Sequence, residues 1–312
     1  MEILLARGDR QTVPETDAVD WLMRRFGVPP GADWPAGALS LLGDAGHPGD
    51  ACWLRVDPVH LRVSRDQLIL ADHRLFSISQ IEAANLSDAL NRHFSGEGFV
   101  FYPLRPERWY LRVPALPAIT TTPLAAAMGR HIDLLLPKGP DALAWHRIFN
   151  ELQMLLHTLP VNEEREARGE LPVNSVWLWG AGTLPTGLER PYSALIAGDP
   201  LARGLALAAG CAALEPSTDV RRWLGDQSRG DLLVYENALD AARAYASDAA
   251  WSTALERLER DILAPLLDAL KSGQINGLRI VTFTASGGVR FEATRASLWC
   301  LWRGARPLSS FA

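Results

Sequence analysis

Histidine is missing from residues 158–312; the seven present are His47, His60, His73, His93, His131, His146 and His157. Residues 158–312 also hold the plainest alternation of strand and helix patterns. Any hydrolase or transferase mechanism that needs an imidazole at the strand ends of that half is therefore excluded there. Lysine is almost missing, with only Lys138 and Lys271 among 31 basic residues. The three cysteines, Cys52, Cys211 and Cys300, are odd in number and widely spaced, with no CxxC. They form neither a disulfide framework nor a zinc site, and are expected to be buried free thiols in a reducing cytoplasm. No apolar run reaches the roughly 18 residues that would span a bilayer, so no membrane partner is expected. The opening Met1-Glu-Ile-Leu-Leu-Ala6 is too short and too soon charged for a secretory signal. A net charge of −5 argues against a dedicated nucleic-acid binder, which carries a basic face.

What is present is an ordinary globular balance, 48% hydrophobic and 21% charged, able to bury a full core. Glu2–Ala6 reads as a short first strand and Asp17–Phe26 as an amphipathic helix stopped at Gly27. Residues 27–50, rich in Gly, Pro, Ala and Asp, read as loop. From Ala51 to Val113 short β-branched and aromatic runs follow: Cys52–Val56, Gln67–Leu70, Phe99–Pro103 and Trp109–Val113. Among them Ser79-Gln-Ile-Glu82 has the form of a capping box opening a helix through Ile81, Ala84, Leu86, Ala89, Leu90 and Phe94. Pro114 and Pro117 punctuate the end of this α+β unit. Beyond residue 120 helix and strand alternate. Helices are expected at Pro140–His157 (apolar at Leu143, Ile148, Leu152, Leu155 and Leu156), at Leu201–Gly210, and along Ala238–Lys271 with a kink at Pro265. Strands are expected at Val173–Trp179, Asp231–Tyr235, Arg279–Thr284 and Ser297–Trp302. That order implies an α/β fold with a doubly wound, mostly parallel sheet.

Chemistry-bearing residues are sparse. His146 and His157 share one expected helix but stand about 16 Å apart along it, too far to share a metal. Asn174-Ser-Val-Trp-Leu-Trp-Gly-Ala-Gly182 is a strand ending in glycines, whose backbone N–H groups could face an anion. Neither GK[ST] nor GxGxxG follows it, and a tight turn is the plainer reading. Ser286-Gly-Gly288 reads as a hairpin turn. The mixed-charge run Asn162–Glu170 reads as a solvated helix face. Trp177, Trp179, Trp299 and Trp302 are placed on expected core strands, as packing residues.

Three stretches together resemble one family. They are Pro48–Leu54 with Ser77–Ala83, Leu90-Asn91 and Phe101-Tyr-Pro103; Leu136-Pro-Lys-Gly139 through Leu159-Pro-Val-Asn-Glu-Glu-Arg165; and Pro172–Gly182. In this order the chain resembles the archaeal-type cofactor-independent phosphoglycerate mutases of the alkaline-phosphatase superfamily. The variant Asn174–Gly182, preceded by Asn150–His157, looks most like the RpfE-type regulatory proteins, a shorter bacterial branch. The resemblance implies an alkaline-phosphatase-like core formed by residues 1–47 and 115–312, interrupted by a small α+β insert at 48–114.

The mutases use two metal ions, a serine nucleophile, and Asp and His ligands; the metals activate the serine and neutralise the phosphoryl group. The resemblance puts Ala6 and Arg7 where the first strand should end in an aspartate ligand. Pro30-Gly-Ala-Asp33, followed by Ser40-Leu-Leu-Gly43, puts Ala32 in the serine's place. A DEAGH-like segment corresponds to Asp240-Ala-Ala-Arg-Ala244, keeping Asp240 and replacing the histidine by Ala244. A DHS-like turn corresponds to Thr284-Ala285-Ser286, with both ligands gone. A shift in alignment cannot restore the histidines, because residues 158–312 have none.

These losses imply a degenerate mutase fold, a cytoplasmic pseudoenzyme with no bound cofactor or metal and a regulatory or interaction role toward an unidentified protein. A second reading is a binder of phosphorylated metabolites, with Arg7, Arg10, Lys138, Gly180 and Gly182 as candidate anion contacts. A third is a mutase- or phosphatase-like enzyme of altered chemistry using Asp33, Asp240 or His157.

Overall fold

The computed structural model describes residues 1–307 except 65, 66, 73, 217–221, 225–229, 245–247, 285, 286 and 301. The chain opens with helix α1 (Glu2–Arg7), strand β1 (Asp9–Val13), and helices α2 (Ala18–Arg25) and α3 (Ala36–Gly43). Strands β2 (Cys52–Ser64) and β3 (Gln67–Ala71), helix α4 (Gln80–His93), and strands β4 (Val100–Arg105) and β5 (Arg108–Val113) follow. Next come the single turn α5 (Leu124–Ala127), helices α6 (Ala142–His157) and α7 (Pro160–Ala167), strands β6 (Ser175–Gly182) and β7 (Ala194–Ala197), and helix α8 (Pro200–Ala208). The last part holds β8 (Ala212–Leu214), β9 (Leu232–Tyr235), α9 (Ala238–Ala244), α10 (Asp248–Leu258), α11 (Ala264–Ser272), and the hairpin β10 (Gly277–Thr284) and β11 (Gly287–Thr294). No helix among the described residues is long and apolar enough to cross a membrane.

The fold is mixed α/β, with three sheets. Among the described residues, parallel pairing is found in the order β8–β7–β9. The sheet β1–β11–β10 is antiparallel. So is the five-stranded sheet β3–β2–β5–β4, in which β6 also pairs with β2. The long strand β2 thus ties segment 48–114 to β6, and one hydrophobic cluster runs through both.

Several local expectations change. Glu2–Ala6 is helix α1, not a strand: a four-residue apolar run carries no period, and Glu, Leu, Ala and Arg favour helix. The expected loop at 27–50 contains α3. Its glycines permit close packing rather than turning. A Cβ at Gly43 would lie 1.9 Å from the Pro200 carbonyl oxygen, and one at Gly204 1.7 Å from that of Leu39, so α3 and α8 touch backbone to backbone. On α6 the buried stripe is Trp145, Phe149, Leu152 and Leu156, while Leu143 is exposed. The tract 238–271 is helical in its described residues, and its irregularity falls at Pro265. A five-residue π turn at Glu259–Leu263 leads into α11, where Pro265 lacks an N–H and crowds the carbonyl four residues back. Ser297–Trp302 is not a core strand: Ser297–Trp299 is a 3₁₀ turn, and Trp299 and Trp302 are exposed. Strands β10 and β11 pair antiparallel up to Thr284↔Gly287, on either side of residues 285 and 286, which lie outside the described residues.

The capping box forms as expected. Ser79 Oγ accepts from the Glu82 amide at 3.2 Å, and the Ser79 amide donates to Glu82 Oε2 at 2.8 Å. Glu82 Oε1 also accepts from the buried Arg165 at 3.0 Å and from Arg168 at 2.7 Å, joining α4 to α7 and the turn after it. The expected solvated run at 162–170 is therefore partly interior.

Three asparagines act as strand partners. The Phe101 amide donates to Asn91 Oδ1 at 2.7 Å, and Asn91 Nδ2 donates to the Phe101 carbonyl at 2.9 Å, covering the edge of β4. Asn174 makes the same pair with Leu61, at 2.7 and 2.9 Å. Buried Asn162 makes it with Val173, at 2.8 and 2.9 Å, and donates to the Leu156 carbonyl at 2.7 Å. An amide side chain can do this because it offers both a donor and an acceptor.

Candidate functional site

The loop carrying Ala32, the threonines before α5, Lys138, and the end of β6 meet in one place. Strand β6 stays in register with β2 from Val59↔Ser175 to Arg55↔Trp179, then slips to Trp53↔Gly182. One extra residue is accommodated by Gly180, whose φ of +72° lies in the left-handed region. A Cβ on Gly180 would lie 2.6 Å from the Ala36 Cβ, and one on Gly182 2.4 Å from the Pro35 Cβ. These glycines let the start of α3 lie against the strand end.

Three successive amides of this bulged end act on side chains of the surrounding loops and strands. The Gly180 amide donates to Thr121 Oγ1 at 2.8 Å. The Ala181 amide lies near the Asp33 carboxylate and the Gly182 amide near the Cys52 sulfur, each favouring the ionised form of its neighbour. The anion in front of this glycine-rich end is thus the protein's own carboxylate. Asp33 also accepts from the Thr121 hydroxyl, and from the Trp34 amide at 2.9 Å. Burial pushes its carboxyl up to about 6 against the opposing pull of those donors. Burial pushes the Cys52 thiol up to about 11, so it stays protonated and unreactive at neutral pH.

Ala32 has its carbonyl bound by the Thr120 hydroxyl at 2.7 Å, and its methyl offers no nucleophile. Thr120 exchanges backbone bonds with Lys138 at 2.7 and 3.0 Å, which sets the exposed Lys138 beside the loop. In the sequence, Thr120 and Thr121 are signalled only by the run Thr120-Thr-Thr122 before Pro123.

The other named positions lie elsewhere. Arg7 and Arg10 belong to α1 and β1; the Arg7 guanidinium donates to the Leu298 carbonyl at 2.6 Å, and Arg10 stands opposite Phe291. Asp240 opens α9, which packs beside α5, and Ala244 closes the same helix. Thr284 ends β10 and donates to the Gly287 carbonyl at 3.2 Å. Ala285 lies outside the described residues. His157 is exposed at the end of α6. At the C-terminal ends of the parallel strands, where ligands bind in open α/β sheets, Asp199 is engaged internally. It accepts from the Ala202 amide and from Asn237 Nδ2, each at 3.1 Å.

The paired metal ions that the mutase resemblance implies do not fit this arrangement. Hydroxyl and amide groups surround Asp33 where carboxylates and imidazoles would be needed. Among the described residues no three His, Cys, Asp or Glu side chains gather to hold an ion.

No family model matches the chain. A stretch of 163 residues, 50% of this chain, is 31% identical to a probable 2,3-bisphosphoglycerate-independent phosphoglycerate mutase of Geobacter sulfurreducens and covers 41% of it. A 173-residue stretch, 52% of this chain, is 32% identical to the corresponding enzyme of Methanosarcina mazei and covers 43% of it. A longer match, 66% of this chain at 28% identity, covers 57% of phosphoglycerate mutase 2 of Methanothermobacter thermautotrophicus. The matched part of the chain therefore spans less than two thirds of each of these relatives. Among solved structures, the PH0037 protein of Pyrococcus horikoshii superposes with a TM-score of 0.56 at 16% identity, over 94% of this chain and 78% of that one. The chain thus carries a partial but clear similarity to the phosphoglycerate mutases.

Proposed function

We propose that this protein is a non-catalytic regulatory or interaction protein of the RpfE type, built on a phosphoglycerate-mutase-like core with residues 48–114 as an insert. The observation that carries this reading is the site around Ala32. A methyl group stands where the resemblance places the serine, and the carboxylate beside it is bonded into the fold. The mutase-like motifs that do persist include Asn91, Asn162 and Asn174, whose work is to hold strands and loops together. What persists is architectural and what has gone is chemical.

The test is a mutase and phosphatase assay of the purified protein with Mg²⁺, Mn²⁺ or Zn²⁺, alongside Ala32→Ser. No turnover above the protein-free rate is expected. Robust turnover that Ala32→Ser leaves unchanged would overturn the reading. One observation favours an enzyme of altered chemistry: Asp33, pushed up to about 6, would titrate near neutrality as a general base does. On that reading Asp33→Asn would abolish whatever activity is found.

A further inference from the structure

Trp299 and Trp302 take no part in the site above, yet they are 72% and 82% exposed. They follow β11 on a segment pinned to the body of the protein. Ser297 Oγ donates to the Thr294 carbonyl at 2.9 Å and accepts from the Thr294 amide at 3.0 Å. Arg7 donates to the Leu298 carbonyl at 2.6 Å, and Arg303 donates to Asp9 at 3.1 Å. The indoles therefore project from a fixed base on α1, β1 and β11.

The segment itself carries charge of one sign, with the carboxylates of Asp9 and Asp268 at its border. Residues 293–312 contain Arg295, Arg303 and Arg306 and no Asp or Glu, in a chain whose net charge is −5. Arg295 and Arg306 are exposed, while Arg303 shares its charge with Asp9. The Arg295 guanidinium lies against Gly273, which closes α11, whose last turn holds Lys271 paired with Asp268. Exposed aromatic surface of this kind marks a contact. Indole joins an apolar body to an N–H donor, which suits the depth where water meets lipid. Arginine adds attraction to phosphate headgroups. Two rings that stand out, instead of lining a recess, suit a soft partner that closes around them.

We propose that Trp299 and Trp302, with Arg295, Arg303 and Arg306, form a peripheral docking face for an anionic phospholipid surface. A contact of this kind needs no spanning segment. The proposal is independent of the regulatory reading above.

The experiment is co-sedimentation of the whole protein with sucrose-loaded vesicles of phosphatidylcholine, with and without phosphatidylglycerol. Capture is expected only with phosphatidylglycerol, and is expected to be reversed by high salt. Trp299→Ala with Trp302→Ala should weaken it about tenfold or more. Both residues are exposed, so the double variant is expected to fold, as circular dichroism would verify. Three results would overturn the proposal. One is protein left in the supernatant with phosphatidylglycerol vesicles. Another is a double variant captured as well as the parent. The last is a parent dimer, by light scattering, that the double variant turns into a monomer, which would put a second copy on this face.

Discussion

Asn162→Asp changes one NH₂ group into an oxygen, and its effect on stability follows from the clamp it breaks. The parent amide donates to the carbonyls of Leu156 and Val173 and accepts from the Val173 amide, all in the interior. The aspartate keeps the accepting oxygen. When ionised, it presents a second oxygen to both carbonyls; that of Val173 has lost its side-chain donor, while that of Leu156 keeps the Leu159 amide at 3.3 Å. An orphaned buried carbonyl costs about 1–3 kcal/mol, and the facing oxygens repel besides, so the loss at neutral pH is about 3 kcal/mol or more. A carboxyl in that place resists ionising, and its pKa rises above the unfolded value of about 3.9. The sign follows: stability is fullest below that unfolded value and falls as pH rises through the folded one. Protonated, the carboxyl can donate to one carbonyl again, and the loss shrinks to about 2 kcal/mol. Urea titrations of parent and variant at mildly acidic and neutral pH would show this as a gap in midpoint that widens with pH. A gap of the same size at both pH values, or none at neutral pH, would refute the clamp argument.

Other outcomes follow from features already described. Asp57→Ala leaves the buried Arg55 without its carboxylate partner and should cost about 3–5 kcal/mol in thermal or urea unfolding. Gly204→Ala drives a methyl into the Leu39 carbonyl and should lower the melting temperature by forcing α3 from α8, at a cost of about 3 kcal/mol. Ser40→Ala removes a buried hydroxyl that has no hydrogen-bond partner, and should be neutral or stabilising by up to about 1 kcal/mol in urea unfolding. Asp33 is pushed up from 3.8 to about 6, so its contribution is fullest below pH 4 and is lost as pH rises through about 6. The loss reaches about 3 kcal/mol at most. Asn in its place can donate to Thr121 Oγ1 and accept from the Trp34 amide. Asp33→Asn should therefore flatten the stability profile between pH 4 and pH 7, measured by urea midpoint.

Reading ahead from the sequence succeeded where one residue type has one physical use. Ser79 and Glu82 announce a capping box because few other pairs can satisfy two helix-end amides at once, and the helix starts there. The apolar run before Gly180 is a fully buried strand. Glycine misled because it has two uses. In residues 36–43 and at Gly204 it permits backbone contact between helices, a need set by elements far apart in the chain. The same limit applies at the candidate site. Lys138, Gly180 and Gly182 lie near Ala32, while Arg7, Arg10, Asp240 and Thr284, legible in the same sequence, lie elsewhere. Thr121 and Cys52 become visible only when the bulged strand end brings its amides to them. Trp299 and Trp302 failed for a different reason: an aromatic run suits a core strand and an exposed contact equally well.

The clamp at Asn174 also bears on how the protein ages. Asn174 is followed by Ser175, and an asparagine before a small residue deamidates when its side-chain carbon can reach the next backbone nitrogen. With both ends of its amide bonded to Leu61, the side chain is held away from that reaction. Each opening of the joint between β2 and the start of β6 releases it. The resulting aspartate would press a carboxylate on the Leu61 carbonyl and hold the joint open. Openings of this joint are thus written into the chain as an added negative charge, which isoelectric focusing of stored protein would count.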